Sequence, residues 1–151
     1  MLFLIRDDNS PPSAEIAYPK SAGYGTVHDE ATEGSGQYWD PVTMATNLNE
    51  VPIGSIVYIC HLKKYVVMED DCTACDNEWW SAGGYWLDIW QGPQYWSDQT
   101  QLDNCEGHIS TYSAMFIVNP PDWYPVDTTP LFNPSNGECT ANLYDSYCNY
   151  L

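Results

Sequence analysis

Basic side chains are almost missing from this chain: four Lys and Arg stand against 21 Asp and Glu, for a formal net charge of −17. Such a surface repels phosphate backbones and anionic bilayers, which argues against nucleic acid and membrane surfaces as partners. Phe is scarce too, with three residues against seven Trp and twelve Tyr. No apolar run reaches the roughly 20 residues of a membrane-spanning helix. There is no Asn-x-Ser/Thr sequon with x other than Pro, no Gly-x-Ser-x-Gly elbow and no phosphate-cradling glycine loop. Met1-Leu2-Phe3-Leu4-Ile5 runs into Arg6-Asp7-Asp8 and is too short for the apolar core of a secretory signal, so Met1 is read as a trimmed or engineered start.

What is present fits one domain. The 151 residues are 44% hydrophobic and only 17% charged, so the chain can bury a core and is not a disordered polyelectrolyte. Residues 1–20 are expected to form an irregular N-terminal arm around Asp7-Asp8-Asn9-Ser10-Pro11-Pro12-Ser13. Residues 21–151 are expected to form a single domain with a Pro-rich C-terminal extension over 120–134. Six cysteines (Cys60, Cys72, Cys75, Cys105, Cys139 and Cys148) allow fifteen pairings, and spacing does not choose among them. Three disulfides and a secreted, extracellular setting are the expectation. A protein this acidic is also suited to low pH, where carboxylate repulsion fades.

Short β segments dominate the pattern. Ser55 to Cys60 is a β-branched strand, and His61-Leu62-Lys63-Lys64 is a turn kept exposed by two of the four basic residues. Tyr65 to Met68 is the returning strand, and Glu69 to Glu78 reads as an acidic loop holding Cys72 and Cys75. Tyr85 to Trp90 is a strand stopped at Gly92-Pro93, and Ser110 to Val118 is another. Cys139 to Cys148 reads as a clipped C-terminal loop. Alternation within Tyr85–Trp90 places Leu87 and Ile89 in the core and Trp86, Asp88 and Trp90 on the opposite face. A carboxylate between two indoles on an outward face is the most suggestive local feature.

Four segments in this order resemble the expansin-like, rare-lipoprotein-A-like and family-45 glycoside hydrolase domains. Gly23-Tyr24-Gly25-Thr26 looks like their opening strand, and Val51-Pro52-Ile53-Gly54-Ser55-Ile56-Val57-Tyr58 like their Pro-hydrophobe-Gly strand. Val66 to Cys75 is similar to the Val-Asp-Arg-Cys-x-x-Cys segment of fungal members, and Tyr85-Trp86-Leu87-Asp88-Ile89 to the strand that closes the site. The resemblance covers residues 23–92. It implies an all-β fold, a six-stranded double-psi β-barrel. It also implies Asp88 as general acid, or as a polysaccharide-contacting carboxylate, with Asp70 and Thr26 beside it. Asp71 is able to replace Asp70. Asp29 and Asp40 are the candidates for a base, and Tyr38-Trp39-Asp40 echoes a family-45 motif.

Glycosidic cleavage needs a protonated carboxyl and usually a second carboxylate, so two close acids beside indoles suit it. Trp39, Trp79, Trp80, Trp86 and Trp90 are the candidate sugar platforms. The expected function is glycan cleavage by a secreted protein, of glycoside hydrolase or lytic transglycosylase type. The alternatives are a non-catalytic, expansin-like wall-loosening or carbohydrate-binding protein, or a secreted effector that has repurposed the groove. A polysaccharide partner and a monomer are expected, with no cofactor and no metal. A redox role for Cys72-Thr-Ala-Cys75 is disfavoured by its acidic neighbours. Zinc would need Cys60 and His61, adjacent residues that point apart. Calcium on Glu69–Glu78 lacks EF-hand spacing. His28, His61 and His108 are read as structural or exposed.

Overall fold

A computed structural model describes residues 2–4, 13–92 and 96–151. Residues 1 and 5–12 of the expected arm, and Pro93 of the expected strand stop, lie outside the described residues. Six strands form one mixed sheet: β1 (Leu2–Leu4), β2 (Val42–Ala45), β3 (Ile56–Ile59), β4 (Lys64–Asp70), β5 (Leu87–Ile89) and β6 (Phe116–Val118), in the order β1-β5-β2-β4-β3-β6. β1 pairs parallel with β5, and β2 parallel with β4; the other pairs are antiparallel. A ribbon of β7 (Phe132–Asn133) and β8 (Glu138–Cys139) stands apart. Among the described residues there are two α-helices, α1 (Thr73–Ala82) and α2 (Gln99–Ile109).

The strands form where β-branched and aromatic residues cluster, because both faces of the sheet are covered. Val42, Met44, Val57, Ile59, Val66, Met68, Leu87 and Ile89 bury one face together with Leu102, Cys105 and Ile109 of α2. On the other face Tyr58 and Tyr65, which oppose each other in the β3–β4 register, pack with Tyr124, Val126 and Tyr150. The sheet curls into a half barrel. Tyr85, just before β5, brings its ring within 6.0 Å of Phe116 on β6, although three strands separate β5 from β6 in the sheet order. β1 and β6 are its two edges.

Several local expectations change. Residues 2–4, inside the arm expected to be irregular, form an edge strand. Gly23-Tyr24-Gly25-Thr26 is a turn rather than a strand, because Gly23 and Gly25 take φ of +87° and +75°. The expected acidic loop is instead the end of β4 followed by α1. The strand expected over 110–118 is reduced to its last three residues. Lys64 is not an exposed turn residue: it is 4% exposed, and its Nζ donates to the carbonyls of Asp127 (2.6 Å) and Thr129 (2.8 Å).

Those bonds help pin the Pro-rich segment to the sheet. Tyr58 Oη donates to the Pro125 carbonyl (2.6 Å) and Tyr65 Oη to that of Pro121 (2.5 Å). The Glu33 carboxyl accepts the Leu131 amide. Burial raises the Glu33 pKa to about 7.

Three disulfides form: Cys60–Cys148, Cys105–Cys139 and Cys72–Cys75, with sequence separations of 88, 34 and 3. By loop-closure entropy the first two stabilise by about 4.6 and 3.8 kcal/mol and the third by only about 1.6 kcal/mol. The first anchors the C-terminus to the end of β3, and the second anchors β8 to α2.

Candidate functional site

α1 begins where the chain leaves β4 and turns back over the sheet. Cys72 is its N-cap, with Sγ accepting the Cys75 amide at 3.0 Å, and Asp76 lies in the first turn, where a carboxylate favours the helix dipole. Asn47 holds Asp76 at 2.6 Å. Gly83 ends the helix in the left-handed conformation, its amide reaching the Glu78 and Trp79 carbonyls at 3.1 Å. Only Cys75 of this helix is fully buried, so its aromatic C-terminal half is presented outward.

That half carries Trp79 and Trp80, and the chain returns through Tyr85 and Trp86 into β5. The Trp79 and Tyr85 rings lie 5.8 Å apart at 78°, and Tyr85 continues to Phe116 at 6.0 Å and 55°. Trp80 is 75% exposed and Tyr85 49%. The result is a twisted run of rings across the seam between the β5 side and β6. Glu50 fixes its base, accepting the Trp86 amide at 2.8 Å and the Thr46 hydroxyl at 2.7 Å; burial raises the pKa of its carboxyl.

Asp88 and Asp70 both register with Ala45, one from each side. Strand spacing therefore sets their Cα atoms about 10 Å apart. The space over Ala45 is occupied, because Ala45, Cys72 and Cys75 form a buried cluster against which Ala74 and Trp86 pack. Asp88 is half-buried, and its carboxylate oxygen and the two sulfurs lie within 4.8 Å of one another. Asp70 accepts the amides of Ala17 (2.8 Å) and Asp71 (2.9 Å), while Asp71 is exposed.

Trp90 is not a sugar platform. It is 8% exposed and belongs to the core, because the strand ends at Ile89 and alternation no longer governs the next residue. Trp86 is half-buried against the disulfide cluster, and Trp39 is 70% exposed on the turn that ends at Asp40.

Thr26 and Asp40 belong to a different group of residues, centred on Glu69. Thr26 is buried and donates to the Tyr18 carbonyl at 2.6 Å, and the Tyr18 amide donates to the Glu69 carbonyl. Glu69 is fully buried on β4. Its carboxylate accepts the amides of Val27 (3.3 Å) and His28 (3.1 Å) and the Thr43 hydroxyl (2.7 Å), and pairs with His28 Nδ1 at 2.7 Å. His28 Nε2 faces Asp40 at 3.3 Å. Burial alone would lower the His28 pKa, but the two carboxylates raise it above the ordinary histidine value. The acid–imidazole–acid row ties the 26–28 turn to the sheet. Asp29, the other candidate base, is exposed and accepts the Ser21 amide at 2.7 Å. His61 is buried, and its Nε2 donates to the Ile109 carbonyl at 3.0 Å; burial lowers its pKa. His108 is exposed at the end of α2.

A separate polar groove of about 400 Å³ is lined by Gly25, Tyr38, Ile53, Gly54, Ser55 and Asn119, among others. Its floor depends on glycine, since a Cβ on Gly54 would come within 2.8 Å of the Gly25 carbonyl oxygen.

Sequence comparison places this architecture among known chains. An uncharacterized protein of Dictyostelium discoideum, DDB_G0273701/DDB_G0273221, is 41% identical over 139 residues, which is 92% of this chain and 58% of that protein. The chain thus spans little more than half the length of that relative. No solved structure matches it. A family model described as the DDB_G0273701 N-terminal domain matches residues 3–140, and the chain belongs to that family.

Proposed function

We propose that this domain is an extracellular module that recognises a neutral polysaccharide through the Trp79–Tyr85–Phe116 run and the adjacent Trp80. The observation that carries this reading is the contiguous run of rings, in which Tyr85 is 49% exposed, with Trp80 beside Trp79 in the chain and 75% exposed. Sugar C–H groups stack on such faces, and Tyr and Trp add a polar handle for hydroxyls. A net charge of −17 disfavours anionic glycans. Ring planes turned by 78° and 55° suit a chain whose successive sugar faces rotate better than a flat ribbon.

Three disulfides support a secreted setting, and no helix of the described residues is long and apolar enough to cross a membrane. The mixed six-strand sheet and its curl support a relationship to the double-psi barrel, in which the two edges would be drawn together.

Recognition is favoured over cleavage because the carboxylate assigned as general acid lies against a disulfide rather than over an open groove. The test is sedimentation with insoluble neutral polysaccharides. Retention of the wild type, reduced at least tenfold in Tyr85→Ala and Trp80→Ala but not in Trp123→Ala, supports the reading. No retention on any neutral polymer defeats it. Reducing-sugar release that is lost in Asp88→Asn would reassign the domain as a glycan-cleaving enzyme.

A further inference from the structure

We propose that Cys72–Cys75 is a thiol–disulfide exchange centre, with Cys72 as the attacked sulfur, Cys75 as the leaving sulfur and Asp88 as the proton carrier. The inference is independent of glycan recognition. It starts from a contrast among the three disulfides. Cys60–Cys148 and Cys105–Cys139 close long loops and tie distant elements together, whereas Cys72–Cys75 spans a separation of 3 and joins nothing the helix does not already join. Loop-closure entropy gives so short a bridge little structural value.

Its surroundings supply what exchange chemistry needs. Cys72 is the N-cap of a ten-residue helix, so the positive end of the dipole favours thiolate there. Sequence alone places only acidic neighbours around the pair; the helix terminus becomes visible in the fold. The two sulfurs are unequal. Cys72 is 6% exposed between exposed Asp71 and Thr73, while Cys75 is sealed at 0%. Asp88 reaches both from the neighbouring strand, within 4.8 Å.

The step balances as follows. A thiolate of a dithiol substrate attacks Cys72 Sγ, forming a mixed disulfide as the Cys72–Cys75 bond breaks. Cys75 leaves with the bonding electron pair and takes a proton through the Asp88 carboxyl. The second substrate thiolate then displaces Cys72, so the substrate dithiol is oxidised to a disulfide and the protein disulfide is reduced by two electrons. In reverse, Asp88 removes the Cys75 proton and Cys75 resolves the mixed disulfide. Other titratable groups on the surrounding elements are Tyr18, Glu50, Asp70, Asp71 and Asp76. The negative charge of these acids opposes the helix dipole and disfavours a further anion at the pair, which favours the disulfide form and so a reducing couple working in the reverse direction on substrate disulfides.

The test is disulfide mapping of the full chain during graded dithiothreitol treatment, quenched by alkylation. Cys72–Cys75 should open at least 100-fold faster than the other two bridges while the fold persists. Cys75→Ser treated with oxidised glutathione should be trapped as a mixed disulfide at Cys72, and Cys72→Ser should not be trapped at Cys75. Asp88→Asn should slow exchange at least tenfold and flatten its pH profile, with an unchanged circular dichroism spectrum. Opening only on global unfolding, or no glutathione adduct at Cys72, overturns the proposal. Stoichiometric zinc uptake by the reduced chain that blocks exchange also overturns it, since the same three side chains would then be a metal site.

Discussion

Glu33 makes stability depend on pH in a direction unusual for a carboxylate. Its carboxyl accepts the Leu131 amide and lies near Lys64, yet burial outweighs both and holds its pKa at about 7 against an ordinary 4.5. An acid whose folded pKa is raised favours the folded state when protonated. Its contribution is therefore complete below about pH 4.5 and is lost as pH rises through about 7. A rise of that size corresponds to about 3 kcal/mol. For a chain of this length that is about 8 °C in Tm.

The perturbation is Glu33→Gln, which keeps an oxygen for Leu131 and removes the titration. Thermal melts of both proteins from pH 4 to 8 give a difference curve in which the other ionisable groups cancel. Near pH 4 the two should melt within about 2 °C of each other. At pH 8 the variant should be more stable by about 3 kcal/mol. Parallel curves across the range, or a variant less stable at pH 8, would refute the reasoning. The wild-type optimum should itself fall on the acidic side. His28, with its raised pKa, contributes stability that is full below 6.5 and is lost as pH rises through its folded value. His61 and Asp127, both lowered, set the acid limit, the first weakening the fold below about pH 6.5 and the second below about pH 4.

Glu69→Gln should cost about 3 kcal/mol in urea unfolding at pH 6, because it leaves His28, Thr43 and two amides without their buried carboxylate. Lys64→Met should leave the sheet folded but free the 127–132 segment, read as new protease cleavage there within minutes, while the wild type resists. Replacing both Cys60 and Cys148 by Ser should lower stability by about 4 kcal/mol, and the same change at Cys72 and Cys75 by less than about 2 kcal/mol; equal losses in chemical denaturation would contradict the assignment of roles.

The central strands were legible as the apolar, β-branched runs Ser55–Cys60 and Tyr65–Met68, although β4 extends past the second at both ends, through Lys64 and through Glu69 and Asp70. Leu87 and Ile89 were placed in the core by the two-residue alternation of a strand. α2 was not expected within an all-β reading, although Leu102, Cys105 and Ile109 recur at helical spacing and all turn inward. α1 carried no such signal: it buries one residue and is capped by a cysteine rather than by Ser, Thr, Asp or Asn. Glu69 was hidden inside an acidic run. Nothing local distinguishes it from Asp70 or Asp71, and its burial depends on His28, 41 positions earlier in the chain. The aromatic run was half visible, since Trp79 and Trp80 stood out by type. Phe116 joins only because the sheet curls.

The central functional claim rests on sugar stacking at Trp79, Trp80 and Tyr85. Titrating the protein with soluble neutral oligosaccharides while following Trp fluorescence tests this most directly. The account predicts a saturable change for at least one series, strengthening with oligosaccharide length, and lost when Trp79 and Trp80 are both replaced by Phe and Tyr85 by Ala. A signal that survives those replacements, or none with any neutral series, would contradict it.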